Sequence, residues 1–282
     1  MHNSTMIARQ IGRQVQQETR ATGDRSPGSK GPISVSCPDL TRFWLRRPKN
    51  RIMPASRHYH SKIVTTNQKG IHGSLPEMVS RHQDSVWQKP YQAHNLAAFD
   101  ELKKQLSSAA RQPRILDSCC GTGMSTITLA RQHPDHWVTG IDQSAHRLAK
   151  NTHAPAALPD NLIFLRGNCE DLWRLCIEEN IRFEKHFLLY PNPWPKSAHL
   201  KRRWHGHPVF PVMPELAPVT ELRSNWKLYL DEFALAWQQL TGKTGTVRAL
   251  PHGEPLTLFE KKYGESGHTL WVTELGTTVC KT

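Results

Sequence analysis

The sequence has no long hydrophobic run. Hydrophobic residues make up 37% of its 282 residues, but no apolar stretch approaches the roughly 20 residues that a membrane-spanning helix requires. We therefore predict a soluble protein with no membrane partner. A chain of this length accommodates one large domain of roughly 200 residues with an extension, or two small domains.

Closely spaced pairs of cysteines are missing as well. No C-x-x-C spacing occurs, and the histidines form no spaced ligand set with the cysteines. The six cysteines are Cys37, Cys119, Cys120, Cys169, Cys176 and Cys280. We therefore predict reduced thiols, a cytoplasmic location and no metal site.

Acidic residues are scarce in the first quarter of the chain. Residues 1–75 hold thirteen Lys and Arg against three Asp and Glu, which is ten of the thirteen excess positive charges. Such a segment favours a polyanionic partner, although a solvated, disordered tail explains the same composition. We predict a basic, disordered extension over 1–55, a segment packing on the core over 56–100, and a folded domain over 101–282. The extension also fits an organelle transit peptide, or a chain that begins at Met53.

Beyond Lys103, short apolar runs alternate with helical patterns. The apolar runs predict strands at 115–117, 137–142, 162–168, 185–192, 220–225, 246–250 and 269–275. Helical periodicity is found at 124–133, 144–154, 170–180 and 226–240. This alternation predicts an α/β fold with a Rossmann-like, doubly wound sheet of seven mostly parallel strands. In the last helix, we expect four aromatic residues to pack in the core, namely Trp226, Tyr229, Phe233 and Trp237.

Five polar residues end the first five of these predicted strands. They are Asp117, Asp142, Asn168, Asn192 and Asn225. In doubly wound sheets, ligands bind outside the carboxyl ends of the strands, where the winding reverses. We therefore expect these five side chains to share one edge of the sheet.

The sequence LDSCCGTG, between the first strand and the first helix, has the pattern of a nucleoside-binding loop. Gly121 and Gly123 allow the backbone to approach a ligand, and Asp142 ends the second strand, where an acid can bind ribose hydroxyls. A dinucleotide fingerprint would need a third glycine in place of Thr126, so that the helix could face a pyrophosphate. The loop therefore favours S-adenosylmethionine, which has no phosphate, over NAD.

Five segments of the chain, taken in order, resemble one enzyme family. The segments are DSCCGTGMSTITLA, GIDQS, YPNPWPKSAHLKRR, SNWKLY and LTLFEKKY. They are similar to segments of the tRNA (guanine-N7)-methyltransferases, which are class I methyltransferases that use S-adenosylmethionine. The resemblance spans roughly residues 80–275, and its most specific part is the block at 190–203. It implies a class I methyltransferase domain over 101–282 that methylates N7 of the guanine at position 46 of tRNA.

The resemblance also implies roles for individual residues. Asn192 occupies the position of the family's catalytic aspartate. Cofactor binding would involve Asp117, Gly121, Gly123, Asp142, Asn168 and Asn192. Substrate binding would involve Lys196, Asn225, Thr257 and Glu260, and the family's Thr-x-x-Glu is thought to hold the target guanine. RNA phosphates would contact Lys201, Arg202 and Arg203.

Three positions depart from the family pattern. Asn192 and Asn225 replace acids, and Cys119 replaces a glycine, so that its side chain narrows the cofactor loop. Methylation of guanine N7 removes no proton and needs no general base, but a carboxylate would stabilise the positive charge that moves onto the base. An amide offers only a dipole, although it can donate to guanine O6. We therefore expect slower or altered chemistry. Cys119 and Cys120 are expected to pack, because no loop Lys or Arg would stabilise a thiolate.

Two other functions remain open from the sequence. The Asn-Pro-Trp sequence at 192–194 resembles the motif with which amino-methyltransferases bind an exocyclic amine and stack its base, so that an adenine or cytosine amine is a possible target. Alternatively, the chain is a catalytically weak RNA-binding relative that lost two acids. For the assembly, we expect a monomer or a weak homodimer.

Overall fold

A computed structural model describes residues 60–109, 112–151, 158–251 and 253–277. The predicted extension over 1–55 lies outside the described residues, and so do Cys37 and Cys280. Within the described ranges, no helix has both the length and the apolar character needed to cross a membrane.

The described residues form a sheet of seven strands in the order β3-β2-β1-β4-β5-β7-β6. The strands are β1 (Arg114–Ser118), β2 (Trp137–Asp142), β3 (Leu162–Arg166), β4 (Lys185–Leu189), β5 (Val219–Ser224), β6 (Arg248–Ala249) and β7 (Trp271–Gly276). Strands β1 to β5 pair in parallel, whereas β7 runs antiparallel to both β5 and β6. The predicted seven-stranded, mostly parallel sheet is therefore confirmed.

Two strands end at least two residues earlier than their apolar runs suggested. β3 ends at Arg166, and β4 ends at Leu189 because Tyr190 takes a left-handed backbone conformation, with φ at 50°. That conformation does not continue a strand. As a result, the chain leaves the sheet three residues before Asn192.

Helices cover both faces of the sheet. They are α1 (Leu75–Gln83), α2 (Ala93–Ser108), α3 (Met124–Gln132), α4 (Ala145–Leu148), α5 (Cys169–Glu178), α6 (Met213–Leu216), α7 (Lys227–Thr241) and α8 (Leu258–Glu265). Single 3-10 turns occur at Ala149–Asn151, Ser197–Arg202, Trp204–Gly206 and Phe210–Val212. Helices α1 and α2 precede the predicted α/β pattern; α1 packs on α7, and α2 packs on β3 and α5.

Helix α7 carries the aromatic core that its periodicity predicted. Tyr229, Phe233 and Trp237 are fully buried, and Trp226 is 8% exposed. The rings of Phe233 and Trp237 stack with centroids 6.0 Å apart. The interpretation of these residues as core, and not as a base-binding surface, is therefore confirmed.

The predicted contact of Arg203 with RNA phosphates is wrong. The side chain of Arg203 is fully buried and is not accessible at the protein surface. Its guanidinium forms an ion pair with the carboxylate of Glu232 on α7, whose side chain is equally buried. Glu232 also bonds to the Nε2 of His205 at 3.0 Å and to the backbone N–H of His72 at 2.8 Å. A buried charge requires a partner of opposite charge, and the buried partner of Arg203 is Glu232 of the same protein. Arg203 is therefore not a phosphate contact.

The same guanidinium fixes the loop that follows β4. Its Nε donates to the carbonyl oxygen of Trp194 at 3.1 Å, and its Nη2 donates to that of Lys196 at 3.3 Å. The remaining contact of Nη2 is the side-chain oxygen of Gln68, at 3.1 Å. Among the basic residues of the block at 190–203, Arg203 is thus the one that holds the loop in place from the protein interior.

Replacement of Glu232 by glutamine is expected to lower the free energy of unfolding by about 3–5 kcal/mol, because Arg203 would stay buried without a counter-charge. The matched control is Asp231→Asn, since Asp231 pairs with Lys227 at the surface. Its expected effect is below about 1 kcal/mol. Denaturant unfolding measures both values, and similar losses would contradict the central role of the buried pair.

The pH dependence supplies a second measurement on Glu232. Burial alone would raise its pKa, but the hydrogen bond and charge of His205, the backbone N–H of His72 and the charge of Arg203 together lower the pKa to about 2. A carboxylate with a lowered folded-state pKa contributes stability above the unfolded pKa of about 4 and loses it as the pH falls towards 2. The wild type should therefore lose its advantage over Glu232→Gln across this acid range.

Candidate functional site

A cavity of about 700 Å³ opens at the carboxyl edge of the sheet. Its walls come from the loop after β1, the ends of β2 and β4, the start of α5 and the first turn of α8. Ligand cavities in proteins typically have volumes of about 300–1,000 Å³. The cavity therefore has the size and place that the doubly wound fold predicts for a ligand site.

The loop at 119–123 forms one wall, to which Cys119, Cys120, Gly121 and Thr122 contribute and Gly123 does not. Gly121 and Gly123 have φ values of 62° and 78°, a conformation that glycine adopts without steric cost. The N–H of Gly121 donates to Oδ2 of Asp142 at 2.9 Å, and the N–H of Cys120 donates to the carbonyl oxygen of Ile141 at 2.9 Å. These two bonds join the loop to the end of β2.

Cys119 shares the left-handed backbone conformation of the two loop glycines, with φ at 59°. This conformation costs a residue with a side chain roughly 1–2 kcal/mol, which explains why a glycine suits the position. The side chain lines the cavity, and its Sγ lies 3.7 Å from the Sγ of Cys169. The hydrogen bond with Cys119 and burial hold the pKa of Cys169 well above its usual value, and burial does the same for Cys120. Protonated thiols of this kind fit the predicted packing role.

Asp142 ends β2 and brings a carboxylate to the cavity wall. Its Oδ1 accepts from the N–H of Ser144 at 2.8 Å and pairs with Nη2 of Arg147 at 3.0 Å. Asn168, the residue before α5, also lines the cavity, and its Oδ1 lies 3.2 Å from Nε2 of His94. Both residues therefore lie where the sequence predicted.

Asp117 lies behind this wall and does not line the cavity. It is fully buried, and its Oδ2 accepts hydrogen bonds from the hydroxyls of Ser125 at 2.6 Å and Thr126 at 2.7 Å. Its Oδ1 has no hydrogen-bond partner among the described residues. Burial raises the pKa of Asp117 to about 6. Its observed contacts support the start of α3 and lie outside the cavity.

Thr126 explains why the third glycine of a dinucleotide fingerprint is absent. The hydroxyl of Thr126 binds Asp117, and the residue packs against Gly140 of β2. A Cβ at Gly140 would lie 2.5 Å from Oγ1 of Thr126, so the glycine stands on the strand and leaves room for the threonine on the helix. Helix α3 and strand β2 thus pack closely because the glycine is on the strand and not on the helix.

Asn192 is exposed on the cavity wall, between two strained residues. Tyr190 and Trp194 have φ values of 50° and 45°, and backbone strain of this kind clusters at functional sites. The ring of Trp194 lines the cavity and carries the guanidinium of Arg202 at 4.8 Å from its centroid. The intervening prolines leave this segment little conformational freedom.

The predicted substrate residues divide between the cavity and its surroundings. Thr257 lines the cavity and caps α8, since its Oγ1 accepts from the N–H of Glu260 at 2.9 Å. Glu260 is held by the guanidinium of Arg223, at 3.0 and 3.1 Å, outside the cavity. Asn225 also lies outside, with its Nδ2 3.3 Å from Nδ1 of His268. The Thr-x-x-Glu segment is therefore a helix cap whose acid is tied to the sheet.

The three exposed basic residues of the block at 190–203 have different surroundings. Arg202 lines the cavity, whereas Lys196 and Lys201 lie on the exposed surface outside it. Other cavity residues were not singled out from the sequence, although LTLFEKKY contains four of them. These additional residues include Arg147, Lys150, Leu258, Phe259, Lys261 and Lys262.

The sheet, the glycine loop and the acid that ends β2 together define a doubly wound α/β protein with a nucleoside-type ligand site. Residues 111–272 match the model of a protein family described as "Putative methyltransferase". The chain belongs to this methyltransferase family. The predicted resemblance, and with it an S-adenosylmethionine-dependent methyltransferase, is therefore confirmed at the level of the family.

Individual relatives and solved structures show the extent of the similarity. A tRNA (guanine-N(7)-)-methyltransferase of Photorhabdus laumondii is 26% identical over 213 residues, which cover 71% of this chain and 85% of the relative. An enzyme of the same name from Alcanivorax borkumensis is 28% identical over 175 residues, covering 56% and 70%. The solved structure of the 16S rRNA methyltransferase KamB is 19% identical with a TM-score of 0.47, covering 67% of this chain and 95% of that one.

Asp117 generates a prediction about stability and pH. A carboxyl whose folded-state pKa is about 6 becomes less favourable to the fold as the pH rises from its unfolded pKa of about 4. Between pH 3 and pH 7, Asp117→Asn should therefore gain about 3 kcal/mol of unfolding free energy relative to the wild type.

Denaturant unfolding at several pH values measures this difference. Asp135→Asn, which changes an exposed carboxylate, is the matched control and should shift stability by less than about 0.5 kcal/mol. A variant that instead loses stability relative to the wild type as the pH rises would show that folding lowers the pKa of Asp117 and does not raise it.

Proposed function

We propose that this chain transfers a methyl group from S-adenosylmethionine to N7 of a guanine in tRNA, with position 46 as the expected target. The observation that carries the proposal is the meeting of Gly121, Asp142, Asn168 and Asn192 around one cavity at the carboxyl edge of the sheet. The tRNA (guanine-N(7)-)-methyltransferase names of the curated relatives support the choice of substrate.

The cavity residues fit the methyl donor by their chemistry. Asp142 presents a carboxylate that can accept hydrogen bonds from ribose hydroxyls, and Asn168 presents an amide at the neighbouring strand end. A Cβ at Gly121 would meet no atom within 4 Å, so this glycine leaves open space beside the loop. The bound donor supplies a methyl group on a positively charged sulfur. The carboxylate of Asp142 suits a ligand without phosphates.

Arg147 bears on the first step, which is binding. Its guanidinium pairs with Asp142, and it also lines the cavity. We expect the carboxylate to exchange this ion pair, which is partly exposed and therefore weak, for the ribose hydroxyls. Asp142 would keep its two backbone bonds to the loop and to Ser144 in either state.

Asn192 is proposed to act on the reacting base. Methyl transfer would form the bond between guanine N7 and the methyl carbon and break the bond between that carbon and the sulfur of the donor, which would keep the electron pair and leave as a neutral thioether. No proton would leave, and the positive charge would pass to the five-membered ring of the base. The amide oxygen of Asn192 can face this charge with its dipole, while its N–H groups can donate to guanine O6. The strained, proline-flanked loop limits the orientations of Asn192 and Trp194, which lowers the entropic cost of positioning the base.

The substrate residues retain proposed roles on the outer side of the cavity. Thr257 is in reach of a ligand in the cavity, and Arg202 and Lys201 are exposed cations beside it. Lys196 is exposed on the same segment as Asn192. Asn225 and Glu260 would act through the elements that they hold, because neither lines the cavity.

Incubation of the purified chain with unmodified tRNA and methyl-labelled S-adenosylmethionine tests the proposal directly. Nuclease digestion followed by mass spectrometry of the nucleosides should reveal labelled N7-methylguanosine. A labelled exocyclic amine on adenine or cytosine would instead support the amino-methyltransferase alternative. Binding of tRNA without any labelled nucleoside would support the RNA-binding alternative.

Asp142→Ala is expected to weaken S-adenosylmethionine binding about 10- to 100-fold, because it removes a charged hydrogen-bond acceptor from the cavity wall. Asp135→Ala makes the same change of charge on an exposed carboxylate away from the cavity and should leave binding intact. Titration calorimetry measures both affinities. Equal affinities for the two variants would exclude Asp142 as a cofactor ligand.

Asn192→Asp is expected to raise kcat for methyl transfer about 10- to 100-fold, since a carboxylate stabilises the charge that develops on the base better than an amide dipole does. Asn180→Asp is the matched control, because it makes the same change from amide to carboxylate on an exposed residue outside the cavity. Single-turnover rates with saturating tRNA measure the effect. A loss of activity in Asn192→Asp would show that donation from the amide to the base is the required interaction.

A further inference from the structure

Three aromatic rings stack in series beside the mouth of the cavity, two of them on helix α8 and the third on the loop that follows it. Phe259 and Tyr263 lie four residues apart on the helix, with ring centroids 6.0 Å apart and an interplanar angle of 21°. Tyr263 stacks in turn on His268, at 5.3 Å and 16°. The three rings therefore form one nearly parallel column, in which each ring supports the next.

The inner end of this column is fixed by hydrogen bonds. Nε2 of His268 lies 2.9 Å from the carbonyl oxygen of Ser61, and its Nδ1 lies 3.3 Å from Nδ2 of Asn225. The Asn225 amide donates to Nδ1, so the imidazole donates from Nε2. Tyr263 is also in contact with the ring of Tyr190, at 5.9 Å. The column is thus attached both to β5 and to the segment before α1.

The outer end of the column is open. Phe259 is 45% exposed, and it is the only aromatic residue among the exposed large hydrophobic side chains of the described residues. It lines the same cavity as Asn192 and Trp194, but it lies on helix α8, whereas they lie in the loop after β4. An exposed ring at the end of an ordered stack presents a flat apolar face that another planar group can cover.

The charges around the mouth favour a nucleic acid as the source of that planar group. Five cations line the cavity, against the two acids Asp142 and Glu170, and Asp142 is already paired with Arg147. The cations are Arg147, Lys150, Arg202, Lys261 and Lys262. Lys261 and Lys262 lie two and three residues after Phe259 on α8, so a base on the ring would have its phosphates near ammonium groups.

We propose that the exposed face of Phe259 is a stacking site for an unpaired base of the RNA substrate, adjacent to the base that enters the cavity. This inference rests on the proposed function for the identity of the RNA. Every nucleobase has a π-face, so the site recognises an unstacked nucleotide and not a particular sequence. Phe259 would thereby help to keep the target nucleotide out of its own stack.

Equilibrium binding of unmodified tRNA to Phe259 variants tests the proposal. Phe259→Ala should weaken binding by about 5- to 150-fold, the range of base stacking on an aromatic side chain. Phe259→Trp should bind at least as tightly as the wild type, because it retains the π-face. Leu258→Ala is the matched control, since Leu258 is 53% exposed in the same turn and at the same cavity mouth but has no ring. It should change affinity less than about 2-fold.

Several results would overturn the proposal. These are equal losses of tRNA affinity in Phe259→Ala and Leu258→Ala, a tRNA affinity of Phe259→Trp as low as that of Phe259→Ala, or no binding of tRNA by the wild type. Sedimentation of the same variants identifies another occupant, because dissociation of an oligomer with unchanged tRNA affinity would assign the ring to a second copy of the chain.

Failure of the stacking site and failure of the proposed function have different signatures. Phe259→Ala should lower S-adenosylmethionine affinity less than it lowers tRNA affinity, because the proposed partner of the ring is a base of the RNA. Tight tRNA binding that depends on Phe259, without N7-methylguanosine, would refute the proposed reaction and support the stacking site. Methylation that is indifferent to Phe259→Ala at subsaturating tRNA would do the reverse.

Discussion

The buried ion pair between Arg203 and Glu232 keeps the loop of Asn192 and Trp194 beside the cavity. Arg203 donates to two backbone carbonyls of this loop, while Glu232 belongs to the helix that carries the aromatic core. A neutral side chain could not replace the guanidinium without losing these bonds, and an unpaired guanidinium could not remain buried. The position of the loop therefore depends on the packing of α7.

The parallel sheet supplies the opposite wall of the same site. Because β1 to β5 run in one direction, their carboxyl ends meet at one edge, and the loops that follow them face each other there. Asp142 comes from β2, Asn168 follows β3, and Asn192 follows β4. None of these side chains needs a long connection to reach its neighbours, so the site is a direct result of the strand order. The left-handed residues of the two loops turn the chain sharply enough to enclose the cavity.

Much of this arrangement could be predicted from the sequence, because strand period, helix period and the ends of elements are local signals. The edge position of Asp142 and Asn168 follows from them, and so does the burial of Phe233. Arg203 could not be predicted, since its neighbours Lys201 and Arg202 are exposed and only the distant Glu232 distinguishes it. Asp117 looked like a ligand because it lies near a strand end, but its side chain faces α3. The stack from Phe259 to His268 joins residues on a helix and a loop, so neither helical nor strand periodicity in the sequence predicts it.

The proposed formation of N7-methylguanosine in tRNA can be tested on the nucleosides of cellular tRNA. Mass spectrometry would compare tRNA from cells that lack the gene with tRNA from the parent and from cells complemented with the wild type or with Asp142→Ala. We expect a loss of N7-methylguanosine that the wild type restores and the Asp142 variant does not. An unchanged N7-methylguanosine content in cells that lack the gene would contradict it.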